Sequence, residues 1–392
     1  MDQRVETLRE EADRAAAAGS LQSARDLLEQ AVTLERGDLA LWMSLAACRR
    51  GLGDLMGALE AVETALALDP RSFLALLMRG SLLERLGRKR VAGAVYRVVC
   101  DLAPAADTLP PAARRALEHA QSFRDDYVRD LDEALRAGAG EAMAGATSSA
   151  RRRGAAFLDR LTGKRRVYRQ EPVQFHYPGL PDIEFWEREE FPWLEALEAE
   201  TPAIQAELAA VLAGEQAELA PYVQYPDHVP LDQWAELNHS PRWNAYHLIA
   251  AGRVVDAHAA ACPKTMAAIA GIPQPHIQRR SPAAMFSVLA PRTRIPPHNG
   301  VSNTRLVMHL PLIVPPGCGF RVGSETRQWK VGEGWVFDDT IEHEAWNDSD
   351  RLRTILICDV WNPRLTPEDR EIITAAMCAM DDFSGITPDA SV

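Results

Sequence analysis

The sequence predicts a multidomain α + β protein, a helical repeat array followed by an antiparallel sandwich or open barrel with flanking helices. Two observations carry this reading. Small residues recur at a fixed 34-residue spacing over the first hundred positions, and after residue 170 alanine-rich periodicity gives way to short β-branched and aromatic segments. Eight of the nine tryptophans lie in that second part. The 392 residues suffice for two or three domains.

The repeat is found by subtraction. Gly19, Gly53 and Gly87 form one column, Ala24, Ala58 and Ala92 a second, Leu34, Leu68 and Leu102 a third, and Pro70 and Pro104 a fourth. Glycine permits the turn between paired helices, alanine lets their axes approach, and proline follows the second helix because it cannot continue it. The pattern resembles tetratricopeptide repeats, about three copies over residues 5–105, with a capping helix expected over Pro110–Leu135. Such stacks offer a concave face to a peptide or partner protein; a purely structural array is the alternative.

Residues 1–136 are therefore assigned to the repeats, 137–170 to a Gly/Ala/Ser-rich linker with a basic flank, and 171–392 to the second domain. The basic run (Arg151, Arg152, Arg153, Arg160, Lys164, Arg165, Arg166 and Arg169) reads as a solvated or intramolecular docking surface. It lacks the interleaved aromatic residues of a nucleic-acid module, and a net charge of −12 argues against nucleic acid as the partner. Six cysteines without a CxxC pair point to a reducing compartment. The absence of an apolar leader or a long apolar stretch leads to the expectation of a soluble, cytoplasmic chain without a membrane partner.

In the second domain, Pro192 and Pro202 are expected to interrupt helical pieces over 183–212. Strands are expected at Phe286–Leu289, Thr304–Val314, Gly319–Val322, Gly334–Phe337 and Arg353–Val360. A closing helix is expected over Pro367–Met380, capped by Thr366 and with Asp369 near its free N–H groups.

Two histidines stand where a core role is awkward: His298 in PPHNG and His343 in DDTIEHEAW. Their 45-residue separation excludes a zinc-finger loop or an HExxH helix, but strand edges facing across a barrel could bring them together. Two imidazoles there can bind Fe(II) and leave positions for a bidentate cosubstrate and O2. Arg353 opens the apolar strand RTILICDV, where a guanidinium must reach a rim, a partner or a ligand such as a carboxylate. Ser287 in FSVL could donate to the same carboxylate. His309 reads, on its residues alone, as a hydrogen-bonded core histidine.

The stretch from FSVLAPRTRIPPHNG through FDDTIEHEAW to RLRTILICDVWNP resembles the aspartyl/asparaginyl β-hydroxylase family, with a weaker likeness upstream over residues 171–365 as a whole. The resemblance implies a double-stranded β-helix (jelly-roll or cupin-like) core and an Fe(II)- and 2-oxoglutarate-dependent dioxygenase that consumes O2. It implies His298 and His343 as metal ligands, Ser287 and Arg353 on the 2-oxoglutarate 5-carboxylate, and His309 in the cosubstrate pocket. Asp339 is either an orienting group for metal-bound water or a turn acid capping its own backbone. Gly300 stands where many 2-oxoglutarate oxygenases carry a carboxylate ligand, as expected of this family. Val307 stands where the resemblance implies an arginine on the metal-chelating end of the cosubstrate, leaving Arg305 or Arg292 to compensate. The implied substrate is an Asp- or Asn-type residue hydroxylated at Cβ in a peptide or protein recruited by the repeats. A small amino-acid-like substrate or a non-catalytic scaffold are the alternatives. Arg292, Arg294 and Arg327 are candidates for a substrate carboxylate, and His228, His239 and His247 for the cleft wall.

Overall fold

The computed structural model describes residues 3–214, 218–226 and 228–385. The end of the expected second domain, residues 386–392, lies outside these. The chain divides into two compact units, Met1–Lys164 and Arg165–Val392.

The first unit is entirely helical: α1 (Gln3–Ala17), α2 (Leu21–Leu34), α3 (Leu39–Gly51), α4 (Leu55–Leu68), α5 (Phe73–Arg85), α6 (Lys89–Leu102), α7 (Pro111–Ala144) and α8 (Ser148–Leu161). The glycine column falls in the turns within pairs α1/α2, α3/α4 and α5/α6, where Gly19, Gly53 and Gly87 take φ of +81°, +83° and +73°. The alanine column is fully buried at the helix contacts, whereas Leu34 and Leu68 end their helices largely exposed. Asp38 and Asp54 cap α3 and α4 by accepting backbone N–H bonds.

The expected linker is corrected by the structure. Helix α7 runs through Ala144, nine residues beyond the expected capping helix, and α8 follows after a short turn capped by Thr147. Alanine favours helix strongly enough to carry Gly138 and Gly140 inside it. Arg136 bonds Asp132 one turn back and Asp159 on α8, and Lys164 reaches Asp132, so charge pairs stitch the two helices. The unit boundary accordingly lies at 164/165.

The second unit contains α9 (Leu194–Ala199), α10 (Thr201–Ala213), α11 (Asp256–Ala261), α12 (Pro263–Ile269) and α13 (Pro367–Ser384) around two antiparallel sheets. Its strands are β1 (Ala220–Pro221), β2 (Trp243–Ala250), β3 (Arg253–Val254), β4 (Ala284–Leu289), β5 (Thr293–His298), β6 (Arg305–Ile313), β7 (Cys318–Val322), β8 (Glu325–Arg327), β9 (Trp335–Phe337), β10 (His343–Asn347) and β11 (Arg353–Trp361). The larger sheet has the order β1-β2-β4-β11-β6-β9, with β3 beside β2, and the smaller β5-β10-β7-β8. Val307, Leu289 and Ile355 of the larger sheet share one apolar cluster with Ile295, Phe320 and Ala345 of the smaller, so the sheets face each other. The outer face of the larger sheet packs α9 and α10 through Leu194, Leu197, Ile204 and Leu208.

The helical run is interrupted at Glu200, between α9 and α10, and Pro202 sits in the first turn of α10. Thr366 and Asp369 form a reciprocal capping box on α13, which continues four residues past its expected end. No described helix is long and apolar enough to cross a membrane.

Two glycines in the helical unit should respond oppositely to alanine. A Cβ at Gly80 would lie 2.3 Å from the buried Tyr96 ring, so Gly80→Ala should cost a net ~1–2 kcal/mol despite alanine's helix preference. A Cβ at Gly138 meets nothing within 4 Å, and Gly138→Ala should stabilise the unit by about 1 kcal/mol. Urea unfolding followed by helical circular dichroism reads both.

Candidate active site

The smaller sheet brings the two histidines together. Strand β5 is an edge strand and pairs antiparallel with β10, placing His298 directly across from His343 with ring centroids 4.0 Å apart. Each ring is oriented by its own strand: His298 Nδ1 bonds the Pro296 carbonyl at 2.8 Å and His343 Nδ1 the Ile341 carbonyl at 3.1 Å. A carbonyl can only accept, so Nδ1 carries the hydrogen and the lone pair is on Nε2 of each ring. Burial pushes His298 down to about 3, helped by His343, and His343 down to about 4. Both rings are therefore neutral at physiological pH, the form that binds a metal. Trp234 stands edge-on to His298 at 4.9 Å, and Phe337 and Phe320 flank His343.

Between the two histidine loops, the Gly300 N–H donates to the Asp339 carbonyl at 2.6 Å. An ideal Cβ on residue 300 would lie 2.1 Å from Asp339 Oδ2, so only glycine fits beside that carboxylate. The Asp339 carboxylate faces another element rather than capping its own turn. Its Oδ2 accepts from Arg305 Nη1 at 2.9 Å, while its buried Oδ1 has no partner. Arg305 Nε also lies 3.3 Å from Asp359, whose other oxygen accepts from the Ala283 N–H. Burial pulls the Arg305 pKa down, but the two carboxylates outweigh it and hold the guanidinium above its ordinary value. Among the described residues no group of three His, Cys, Asp or Glu side chains forms a metal site.

The larger sheet supplies the facing wall. Ser287 of β4 lies opposite Ile355 and Arg353 opposite Leu289, so Ser287 and Arg353 are diagonal neighbours on one face. Trp243 Nε1 donates to Ser287 Oγ at 3.0 Å, leaving the hydroxyl hydrogen free to donate elsewhere. Arg353 is 1% exposed, yet its Nε and Nη1 have no hydrogen-bond partner; its guanidinium lies 4.9 Å from the Trp329 ring centre. Burial lowers its pKa only to about 10, so it remains a cation. His309 lies opposite Ile357, with its Nδ1 unpartnered and its ring against Phe337 and Phe320. Burial, and then the charge of Arg353, keep it neutral.

All six predicted site residues, Ser287, His298, His309, Asp339, His343 and Arg353, line one cavity of about 610 Å³. Of the two residues offered as compensation for Val307, Arg305 lines that cavity; Arg292 does not and pairs with Asp350. Arg294 and Arg327 also lie away from it, paired with Asp348 and Glu325. His247 lines the cavity, whereas His228 and His239 do not. Sequence reasoning missed Asp359, Tyr222, Trp234 and Trp243. Asp359 had a signal: it shares the parity of Arg353 along β11 and interrupts an apolar strand.

A fold of two facing antiparallel sheets around a paired-imidazole, buried-arginine cavity is the setting of the family match. An Aspartyl/Asparaginyl beta-hydroxylase profile matches residues 198–363. The chain is 33% identical over 200 residues to the ornithine lipid ester-linked acyl 2-hydroxylase of Rhizobium tropici, a match covering 50% of this chain and 67% of that protein. It is 39% identical over 134 residues to the aspartyl/asparaginyl beta-hydroxylase of Mus musculus, covering 34% of this chain but only 18% of that protein. The chain belongs to the aspartyl/asparaginyl β-hydroxylase family. The Sgt2 TPR domain from Aspergillus fumigatus aligns with 32% of this chain and 83% of its own length at 21% identity, with a TM-score of 0.29.

Because the folded pKa values of His298 and His343 lie below the unfolded value of 6.5, the unfolded chain binds protons that the native state refuses. Stability contributed by the neutral rings is present above about pH 6.5 and is lost as pH falls through the folded values. Thermal melts of chelator-treated protein across about pH 4–7 should show this slope, and it should be shallower in the His298→Asn/His343→Asn double variant.

Proposed function

We propose that this chain is an Fe(II)- and 2-oxoglutarate-dependent dioxygenase that hydroxylates an unactivated carbon. The observation that carries the reading is Arg353. A buried guanidinium with unpartnered nitrogens is costly unless an anion meets it, and it faces the cavity that holds two neutral imidazoles with their lone pairs on Nε2. The donor set fits the metal: two imidazoles leave the remaining positions to a chelating cosubstrate, O2 and water. When bound, Fe(II) with 2-oxoglutarate and O2 would supply the oxidising power to insert one oxygen atom into a C–H bond, with succinate and CO2 as co-products.

The protein's residues do the positioning. His298 and His343 would hold the ion, their tautomers fixed by the Pro296 and Ile341 carbonyls. Arg353 and Ser287 would anchor the distal carboxylate of 2-oxoglutarate, with Trp243 fixing the serine hydroxyl. His309, neutral beside Arg353, lines the same pocket without adding charge. Asp339, held by Arg305, keeps an oxygen available to accept a hydrogen bond from a water at the metal. Phe320, Phe337, Trp234 and Trp243 restrict water at the reacting centre.

The substrate reading is an Asp- or Asn-type residue in a peptide or protein, hydroxylated at Cβ, with the helical repeats as the recruiting unit. An acyl chain, the group named in the Rhizobium relative, is the second reading, favoured by the apolar cavity wall of Met285, Val307, Ile355 and Ile357.

Anaerobic addition of Fe(II) and 2-oxoglutarate should produce a weak visible charge-transfer band, which His298→Ala and His343→Ala should each abolish. Admission of O2 should release succinate. A folded, metal-reconstituted protein with no band contradicts the assignment. Arg353→Gln should weaken 2-oxoglutarate binding about 100-fold, because it removes a charge-assisted, desolvated contact, while altering the rate at saturating cosubstrate far less.

A further inference from the structure

The charges lining the cavity restrict what can be oxidised there. Four arginines contribute to its wall: Arg279, Arg280, Arg305 and Arg353. Arg279 pairs with Asp382 and Arg280 with Asp381. Arg305, the guanidinium beside the histidine loops, is held between Asp339 and Asp359. Either acid alone balances it, so Arg305 has no unpaired charge to offer a ligand. Among the described lining residues, Arg353 is the one guanidinium without a carboxylate partner, and in the proposed reaction 2-oxoglutarate occupies it.

A substrate carboxylate would thus enter beside Asp339 and Asp359 with no unpaired guanidinium to receive it. Val307, buried in the cavity wall, adds no cation to it. The polar groups left to a substrate suit a neutral one. Asp339 Oδ1 is a buried acceptor without a protein partner; its two lone pairs let it take a substrate N–H beside the water at the metal, whereas it repels a carboxylate. Tyr222 lines the same cavity, stacked on Trp243 at 3.9 Å, and burial pushes its phenol up to about 12, so it stays protonated and can donate to a carbonyl. A carboxamide offers both complements, an N–H for Asp339 and a carbonyl for Tyr222; an ionised carboxylate offers only the second.

We propose that this site selects a carboxamide, an asparagine-type side chain, over the corresponding carboxylate, with Asp359 and Val307 setting the discrimination. The proposal rests on the oxygenase reading above and deepens its substrate class. Asp359 acts as a specificity residue by neutralising Arg305, and Val307 by withholding a second cation. Exclusion of the wrong substrate by uncompensated like charge is a general route to specificity.

The test is a binding measurement on the full-length protein, made without O2 and with Fe(II) and saturating 2-oxoglutarate, so that Arg353 is filled. N-acetyl-asparagine N-methylamide and N-acetyl-aspartate N-methylamide are titrated in parallel, with cavity tryptophan fluorescence as the signal. The amide should bind at least tenfold more tightly at neutral pH. Val307→Arg and, separately, Asp359→Asn should narrow that ratio at least threefold by improving carboxylate binding. Equal or tighter binding of the aspartate compound, or no detectable binding of the amide, overturns the proposal. The charge-transfer band recorded on the same sample separates the outcomes: with the band present such a result defeats only the amide preference, and without the band it is the oxygenase reading that fails.

Discussion

The site depends on one cross-strand pairing. His298 and His343 meet because β5 and β10 place them opposite each other, and a slip of one residue would turn one ring to the other face of its strand. Strand β5 contains Pro296 and Pro297, which cannot donate to a ladder, so it can only be an edge strand. Pro296 also supplies the carbonyl that fixes the His298 tautomer. Ring orientation is thus a property of the sheet rather than of a separate supporting side chain. Beside it, the close approach of Asp339 to the Cβ-free Gly300 couples the two histidine loops.

Two buried arginines divide the electrostatic roles. Arg305 is compensated by Asp339 and Asp359, and Arg353 is not. An internally balanced guanidinium is structural, because its charge is already spent on protein acids; an unbalanced one in a cavity calls for a ligand. Both project from the same sheet, Arg353 and Asp359 from β11 at positions of equal parity and Arg305 from the neighbouring β6. The apolar Ile355 and Ile357 lie between them, so the wall runs from the unpartnered Arg353, through an aliphatic strip, to the charge-paired Arg305.

The repeats were legible because two of their columns have a direct physical cause: glycines at positive φ and alanines at fully buried contacts. Strands β4, β6, β7, β9 and β11 were legible from their β-branched and aromatic runs. Strands β5 and β10 were not, although they carry the histidines. One holds two prolines and the other reads HEAWN, so neither has the composition of a strand; pairing with neighbours makes them strands. The helicity of 138–161 was hidden by its glycines and serines, since the charge pairs joining α7 to α8 are tertiary facts. At the site, the motifs that carry the family resemblance picked out His298, His343, Ser287 and Arg353, and these line one cavity. The neutralisation of Arg305 was not legible, because it requires knowing that Asp339 and Asp359, 20 residues apart, meet at one guanidinium.

The most direct measurement of the central claim is a diffraction experiment on crystals grown with 2-oxoglutarate and Zn(II) as a redox-inert stand-in for iron. The account predicts a single anomalous peak about 2.1 Å from Nε2 of both His298 and His343. It also predicts the distal carboxylate of 2-oxoglutarate on Arg353. A peak bound to only one of the two imidazoles, or 2-oxoglutarate held elsewhere while Arg353 stays unpaired, would contradict it.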